Sequence, residues 1–301
     1  MTARVATVTF PNPVLTASGT AGYGAELGAY VDLATLGAVV VKSLSPGPWQ
    51  GNPAPRVHGT VGGMLNSVGL HNGGVGAWLA DQLPALRRAG ARVVASIWGF
   101  TVEDYARAAD LLADAGPEVV AVEVNLSCPN LAGGRHLFAH SASGTSEVIA
   151  ATAGCNRPRW AKLSPNVDDI VAIAGAALDA GADALTLVNT VMGMAIEPGT
   201  ARPRLGARGG GLSGPAVHPV AVRAVYECRA AFPATGIVGV GGVARGTDAV
   251  ELLHAGADAV EVGTATFADP RAPAKVLADL RRWCITAGTS RVADLIGAAH
   301  A

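Results

Sequence analysis

From one end to the other, the chain alternates short runs of β-branched and other apolar residues with Ala-rich stretches of helical length, an order that few folds accept. It is the βαβα rhythm of a parallel sheet, in which a helix carries the chain back after each strand. The expected core strands are Val14 to Thr16, Ala38 to Lys42, Arg92 to Ser96, Val119 to Asn125, Trp160 to Lys162, Ala184 to Val188, Ile237 to Val240 and Ala259 to Val262. Their interiors read as near-continuous Val, Ile, Leu and Ala, as strands covered on both faces do. A faint internal repeat supports the pattern: Ala180-Gly181-Ala182-Asp183-Ala184 recurs as Ala255-Gly256-Ala257-Asp258-Ala259, each copy between a helix and a strand. The glycine there suits a left-handed helix C-cap. Such units build either an open doubly wound sheet or a closed barrel. Eight strands with no GxGxxG after the first favour an α/β fold of the (β/α)8 TIM-barrel type, one domain over residues 1–301.

Composition narrows the function. With 22 Lys+Arg against 23 Asp+Glu, the chain has no basic field to attract a phosphate backbone, so nucleic acid is not an expected partner. The start, Met1 to Phe10, lacks the basic and apolar regions of a secretory signal, and no stretch approaches the ~20 apolar residues of a membrane span. Four cysteines, at positions 128, 155, 228 and 284, are too widely spaced for a CxxC site and too few for a disulfide scaffold, which fits a reducing cytoplasm. The seven histidines show no HxxxH or HExxH spacing, so no metal site is expected.

Barrel enzymes assemble their sites at the C-terminal ends of the strands, and here those ends are polar. Lys42 and Ser43 follow the second strand, Ser96 closes the third, Asn125 the fourth and Lys162 the fifth. Asn189-Thr190 follow the sixth, Gly241-Gly242 the seventh and Gly263-Thr264 the eighth. Two lysines and several amides at one mouth suit an anionic, hydrogen-bonding ligand. The paired glycines after the last two strands would let backbone N–H groups approach a phosphate, although each pair would also serve a tight turn. Gly209 to Gly214 reads as a flexible loop that could complete the cradle or simply lie on the surface. The stretch Gly62 to Asn72 is too Gly-rich for a strand and too apolar for a solvated linker. It reads as a loop folded over the mouth, with Asn66 offering its amide while Val68 and Leu70 exclude water, or else as a packed connector. Cys128, in Asn125-Leu126-Ser127-Cys128-Pro129-Asn130, is placed for proton chemistry if it reaches the ligand; a lone cysteine is otherwise an inert packing residue. Cys155, Cys228 and Cys284 fall in or beside helical stretches and read as packing, as the five tryptophans read as core or edge aromatics. Glu103-Asp104 and Asp168-Asp169 read as helix caps.

Together these residues resemble the catalytic subunit of class 1B dihydroorotate dehydrogenases. The resemblance runs from Asn12-Pro13 to Asp269-Pro270 and rests on Ala17-Ser18-Gly19-Thr20, Gly51 to Arg56, Asn66 to Asn72, Asn125 to Asn130, Lys162-Leu163-Ser164-Pro165-Asn166, Gly211 to Pro215 and the two glycine-bearing strand ends. Asn189-Thr190 and the GLSGP segment favour class 1B over class 1A.

The resemblance implies a flavin mononucleotide (FMN) barrel that oxidises dihydroorotate to orotate in pyrimidine biosynthesis. Cys128 would remove the C5 proton while the C6 hydride passes to flavin. Lys162 would lie beside the flavin pyrimidine ring and stabilise the charge that reduction creates, and Lys42 would contact flavin and substrate. Asn66, Asn125, Asn130, Asn189 and Thr190 would bind orotate, with Ser67, Val68, Gly69 and Leu70 closing over it. Gly214, Gly241, Gly242, Gly263 and Thr264 would hold the phosphate and ribityl chain, and Ala17, Ser18, Gly19, Ser43, Ser96, Asn125 and Val188 would complete the flavin contacts. A partner subunit carrying FAD and a [2Fe-2S] cluster would pass electrons to NAD, in an assembly of two catalytic and two partner chains. Three departures from the family stand out. Ser96 replaces an Asn near the flavin, Phe138 to Glu147 is longer than usual, and His71-Asn72-Gly73 replaces Gln-Asn-Pro, which would loosen the loop over substrate. The competing enzyme reading is an FMN-dependent dihydropyrimidine dehydrogenase acting on dihydrouracil or dihydrothymine, and the non-catalytic one is a flavin- or phosphate-binding assembly subunit.

Overall fold

The structure is a computed structural model that describes residues 1–126 and 138–301. An eight-stranded parallel sheet forms from Val14–Thr16, Val39–Val40, Val93–Ile97, Val119–Asn125, Arg159–Lys162, Ala184–Leu187, Gly236–Val240 and Ala259–Val262. Each expected strand is present, shifted at its ends by no more than a few residues. The sheet closes into a barrel where the first and second strands meet: Leu15 bridges Ala38 in parallel, and Thr16 N–H donates to the Ala38 carbonyl at 3.2 Å.

The repeat seen in the sequence is a repeated helix-to-strand joint. Gly181 and Gly256 both take positive φ, +94° and +116°, and end their helices, Ile170–Asp179 and Gly246–Ala255. In each copy the following Asp turns back to the neighbouring strand: Asp183 accepts from Arg159 N–H at 2.8 Å and Asp258 from Ile237 N–H at 2.7 Å. An arginine, Arg159 or Arg229, donates to the glycine carbonyl. These joints fix where the fifth and seventh strands begin.

Side chains on the barrel strands divide between two apolar cores. Outward residues such as Val93, Val122, Leu185, Ile237 and Val260 pack against the helices. Inward residues Leu15, Val94, Ala121, Trp160, Val238 and Ala259 fill the lower barrel. That end is sealed by the hairpin Ala3–Val5 and Val8–Phe10, with Phe10 and Val5 buried in the same cluster and the Phe10 ring edge-on to Trp160 at 6.0 Å.

Three sequence expectations change, and the structure adds one helix. Gly63–Asn66 and Gly209–Ser213 are strands, not loops; with Val57–Thr60 and Val191–Met194 they form a four-stranded antiparallel sheet. Glycine is admitted there because the strands approach so closely that a side chain has no room: a Cβ on Gly210 would stand 2.8 Å from Leu205 Cδ1. The cap of Val102–Asp110 is Thr101, whose hydroxyl accepts from Asp104 N–H at 3.2 Å, while Glu103 and Asp104 occupy its first turn. The stretch after 140 is the helix Ala142–Ala151, capped by Ser141. Finally, the loop at His71 is tied down. Asn72 accepts from Ser45 and Gly74 N–H and donates to Ser45 Oγ and the Leu70 carbonyl. Asp169 caps Ile170–Asp179 as expected, and Cys155, Cys228 and Cys284 are buried.

Candidate active site

A cavity of about 160 Å³ opens at the C-terminal ends of the strands, where one water takes about 10–15 Å³. It is lined at the first strand by Ala17, Ser18 and Gly19, at the second by Lys42 and Ser43, and at the fourth and fifth by Asn125 and Lys162. Val188, Asn189 and Thr190 reach it from the sixth strand, Gly241 and Gly242 from the seventh, Gly263 and Thr264 from the eighth. The small sheet and its flanking turns bring in Asn66, Val68, Gly69, Leu70 and Gly214.

Ser67 and Ser96 differ from the expectation: both are fully buried behind the cavity wall. Ser67 Oγ accepts from Asn52 at 2.9 Å. Ser96 bonds to Ser43 Oγ at 2.9 Å and donates to Glu123 Oε1 at 3.1 Å, so its short side chain serves the barrel interior. Cys128 and Asn130 lie outside the described residues.

The amides are oriented before any ligand arrives. Asn125 donates to Ser43 Oγ at 3.1 Å and accepts from Asn189 Nδ2 at 3.2 Å, and Tyr105 OH holds the Asn125 carbonyl at 2.7 Å. Asn166, the last residue of the KLSPN segment, donates to the Thr190 carbonyl and accepts from Met192 N–H. One motif thus supplies a cavity lysine and also pins the chain leaving the sixth strand. Preorganised dipoles of this kind cost nothing to reorient when a polar ligand binds.

The far end of the cavity has the character of an anion cradle. Among the described residues, the backbone N–H groups of Gly242, Gly263 and Thr264 find no acceptor in the chain. Such orphan donors are rare unless something else accepts from them. Gly242 takes φ +70°, and a Cβ there would stand 2.6 Å from His218 Cβ; at Gly241 it would stand 2.7 Å from Ala221 Cβ. Only glycine allows the chain to pass this close to the helix His218–Ala231 while turning its N–H groups inward. His218 Nδ1 lies 2.7 Å from the Gly241 carbonyl and helps hold the turn.

Two residues missed by the sequence reading are Glu123 and Glu261. Both are fully buried inside the barrel, and both sit in runs, VAVEVN and AVEV, that read as apolar strand. Lys162 Nζ lies 3.2 Å from Glu123 Oε1 and 3.1 Å from Glu261 Oε2. Burial alone would disfavour the ammonium, but the two glutamates outweigh it and raise the lysine pKa. The Glu261 carboxyl is pushed well above its usual range by burial and then by the charge of Glu123. A signal was available: an acid alternating with inward apolar residues points into the barrel.

A sequence model described as dihydroorotate dehydrogenase matches residues 1–283. The chain belongs to the dihydroorotate dehydrogenase family. It is 46% identical over 299 residues to a protein of Pelobacter propionicus named dihydroorotate dehydrogenase B (NAD(+)), catalytic subunit, covering 99% of this chain and 98% of that one. A protein of the same name from Desulforudis audaxviator is 48% identical, over 98% of this chain and 96% of its own. A Solibacter usitatus relative, also 48% identical and covering 99% of each, is named putative dihydroorotate dehydrogenase A (fumarate). Among solved structures, a dihydroorotate dehydrogenase from Eimeria tenella in complex with ferulenol superposes with a TM-score of 0.80 at 23% identity, over 99% of this chain and 88% of that one. At that identity the likeness concerns the barrel fold.

Proposed function

We propose that the chain oxidises dihydroorotate to orotate, as the catalytic subunit of a class 1B dihydroorotate dehydrogenase. The observation that carries this reading is one cavity whose wall combines two lysines, a set of fixed amides and a glycine cradle with unsatisfied N–H groups. The cradle fits the phosphate of FMN, which when bound supplies the acceptor for a hydride and its two electrons. Gly214, Gly241, Gly242, Gly263 and Thr264 would hold that end of the cofactor. Ala17, Ser18, Gly19, Ser43 and Val188 would line its remainder.

Lys42 and the amides of Asn66, Asn125 and Asn189 suit a planar ring with a carboxylate, and Thr190 and Asn130 would complete the set. Leu70 and Val68, which line the same cavity, would exclude water from the reacting carbon. Cys128 is the proposed base for the C5 proton. A thiol with the unperturbed pKa of ~8.5 is mostly protonated at neutral pH, so the oxidation rate should rise as pH approaches that value. Lys162 keeps its positive charge through its glutamate partners and would stabilise negative charge that builds on its neighbour in the cavity.

The electron acceptor is proposed to be NAD, reached through a partner subunit with FAD and a [2Fe-2S] cluster in a heterotetramer. The names of the relatives that are called catalytic subunits support a partner, and the three described cysteines lie on separate helical segments, so a cluster would be carried by another chain. No described helix is long and apolar enough to cross a membrane, and a cytoplasmic location is proposed.

The decisive test is anaerobic rapid mixing of the FMN-loaded chain with dihydroorotate. Flavin bleaching with formation of orotate is the expected result. Flavin that stays oxidised with dihydroorotate but bleaches with dihydrouracil would transfer the assignment to the dihydropyrimidine dehydrogenases. Reduction of NAD only when the partner is added would support the heterotetramer.

A further inference from the structure

Three ionisable side chains meet inside the barrel, and their formal charges do not cancel. Lys162 Nζ contacts Glu123 and Glu261 at 3.2 and 3.1 Å, with both glutamates fully buried and the lysine nearly so. One ammonium against two carboxylates would strand a negative charge where water cannot reach it, which is strongly disfavoured. Lys162 Nζ bridges the two carboxyl groups, and burial together with the neighbouring Glu123 charge favours the neutral form of Glu261.

The two sites are not equivalent. Glu123 accepts from Lys162 and, at Oε1, from Ser96 Oγ at 3.1 Å. Glu261 accepts from Lys162 through Oε2, while its buried Oε1 has no hydrogen-bonding partner among the described residues. Glu123 is therefore the better-supported anion. The cluster also communicates with the cavity, because Ser96 bonds to Ser43, and Ser43 to Ser18 and Asn125.

We infer that Glu123 and Glu261 hold one proton between them, resting on Glu261, and that this shared proton leaves Lys162 with a single counter-charge as it faces the cavity. The glutamates act through Lys162 and are positioning residues for the site described under Proposed function, on which the flavin readout below rests. If one carboxyl is removed, the other ionises and takes its place, as in any tightly coupled acid pair.

The test compares FMN midpoint potentials at one pH for wild type, Glu123→Gln, Glu261→Gln and the double variant. Each single variant should stay near wild type, because one carboxylate remains in both. The double variant should depart from wild type by far more than the two single changes summed, to a more negative potential, since Lys162 then lacks the carboxylates that hold its charge in a buried place and no longer stabilises reduced flavin. Additive shifts from the single variants would overturn the inference, being the behaviour of two ionised carboxylates. A double variant at the wild-type potential would overturn the link to the cavity.

Infrared spectroscopy of the FMN-free protein provides a readout that needs neither flavin nor the double variant. A buried carboxylic acid C=O band should be present at neutral pH in wild type and lost in both single variants. Its absence from wild type, or persistence in either variant, would sink the idea. Failure to bind FMN would count against the proposed function, while the infrared result would still decide the shared proton.

Discussion

The two ends of the barrel interior are built from the same strands and behave oppositely. Along the fourth strand, the inward residues run Ala121, Glu123, Asn125; along the fifth, Trp160 then Lys162; along the eighth, Ala259 then Glu261. Below, apolar side chains and a hairpin plug make a dry core. Above, hydroxyls, amides and charges satisfy one another and open into a cavity. A shift of two residues along a strand moves a side chain from one regime to the other, so the ring of strands is at once a stable core and a polar site. The lower half is apolar apart from the buried ring nitrogen of Trp160, and the upper half holds its charges against one another.

That division can be broken at several points. The largest effect is expected from Cys128→Ala, which should cut dihydroorotate oxidation by about 10²–10⁴-fold, the usual contribution of a general base, with FMN content unchanged. Steady-state rates on protein matched for flavin absorbance would check this. At the closed end, Trp160→Ala should lower stability by about 3–5 kcal/mol through loss of its packing with Phe10, seen as an earlier urea midpoint. Turnover per folded molecule should hold, and a parallel loss of turnover would show that the two ends are not separable.

In the cradle, Gly242→Ala places a side chain at φ +70° against His218, a strain of about 1–3 kcal/mol, and FMN affinity should fall about tenfold or more by fluorescence titration. The mildest effect is a change of slope. Because folding raises the Glu261 pKa, its contribution to stability is whole below the unfolded value of about 4.3 and is lost as pH rises toward the folded value. Denaturant midpoints of wild type should therefore decline against those of Glu261→Gln between acidic and neutral pH, and parallel curves would show that Glu261 does not keep its proton.

Much of this was readable from the chain. Strand cores, the glycine C-caps of the repeat and most cavity residues follow local rules of period, turn chemistry and position at a strand end. The small sheet over the mouth was not, since Gly209 to Ser213 carries no strand propensity and pairs only because Gly63–Asn66 arrives alongside it. Ser96 was expected in the site and instead turns into the interior, because Ser43 and Glu123 there offer it two hydrogen-bonding partners.

The sequence by itself determined the alternation of strand and helix, the polar strand ends and the family, because each depends on residues near one another in the chain or on ordered motifs. Only the tertiary structure decided that Lys162 shares its charge with Glu123 and Glu261, that unsatisfied N–H groups from the seventh and eighth strands meet, and that a hairpin plugs the far end. Those arrangements join residues from distant strands, and closing the barrel is what brings them together.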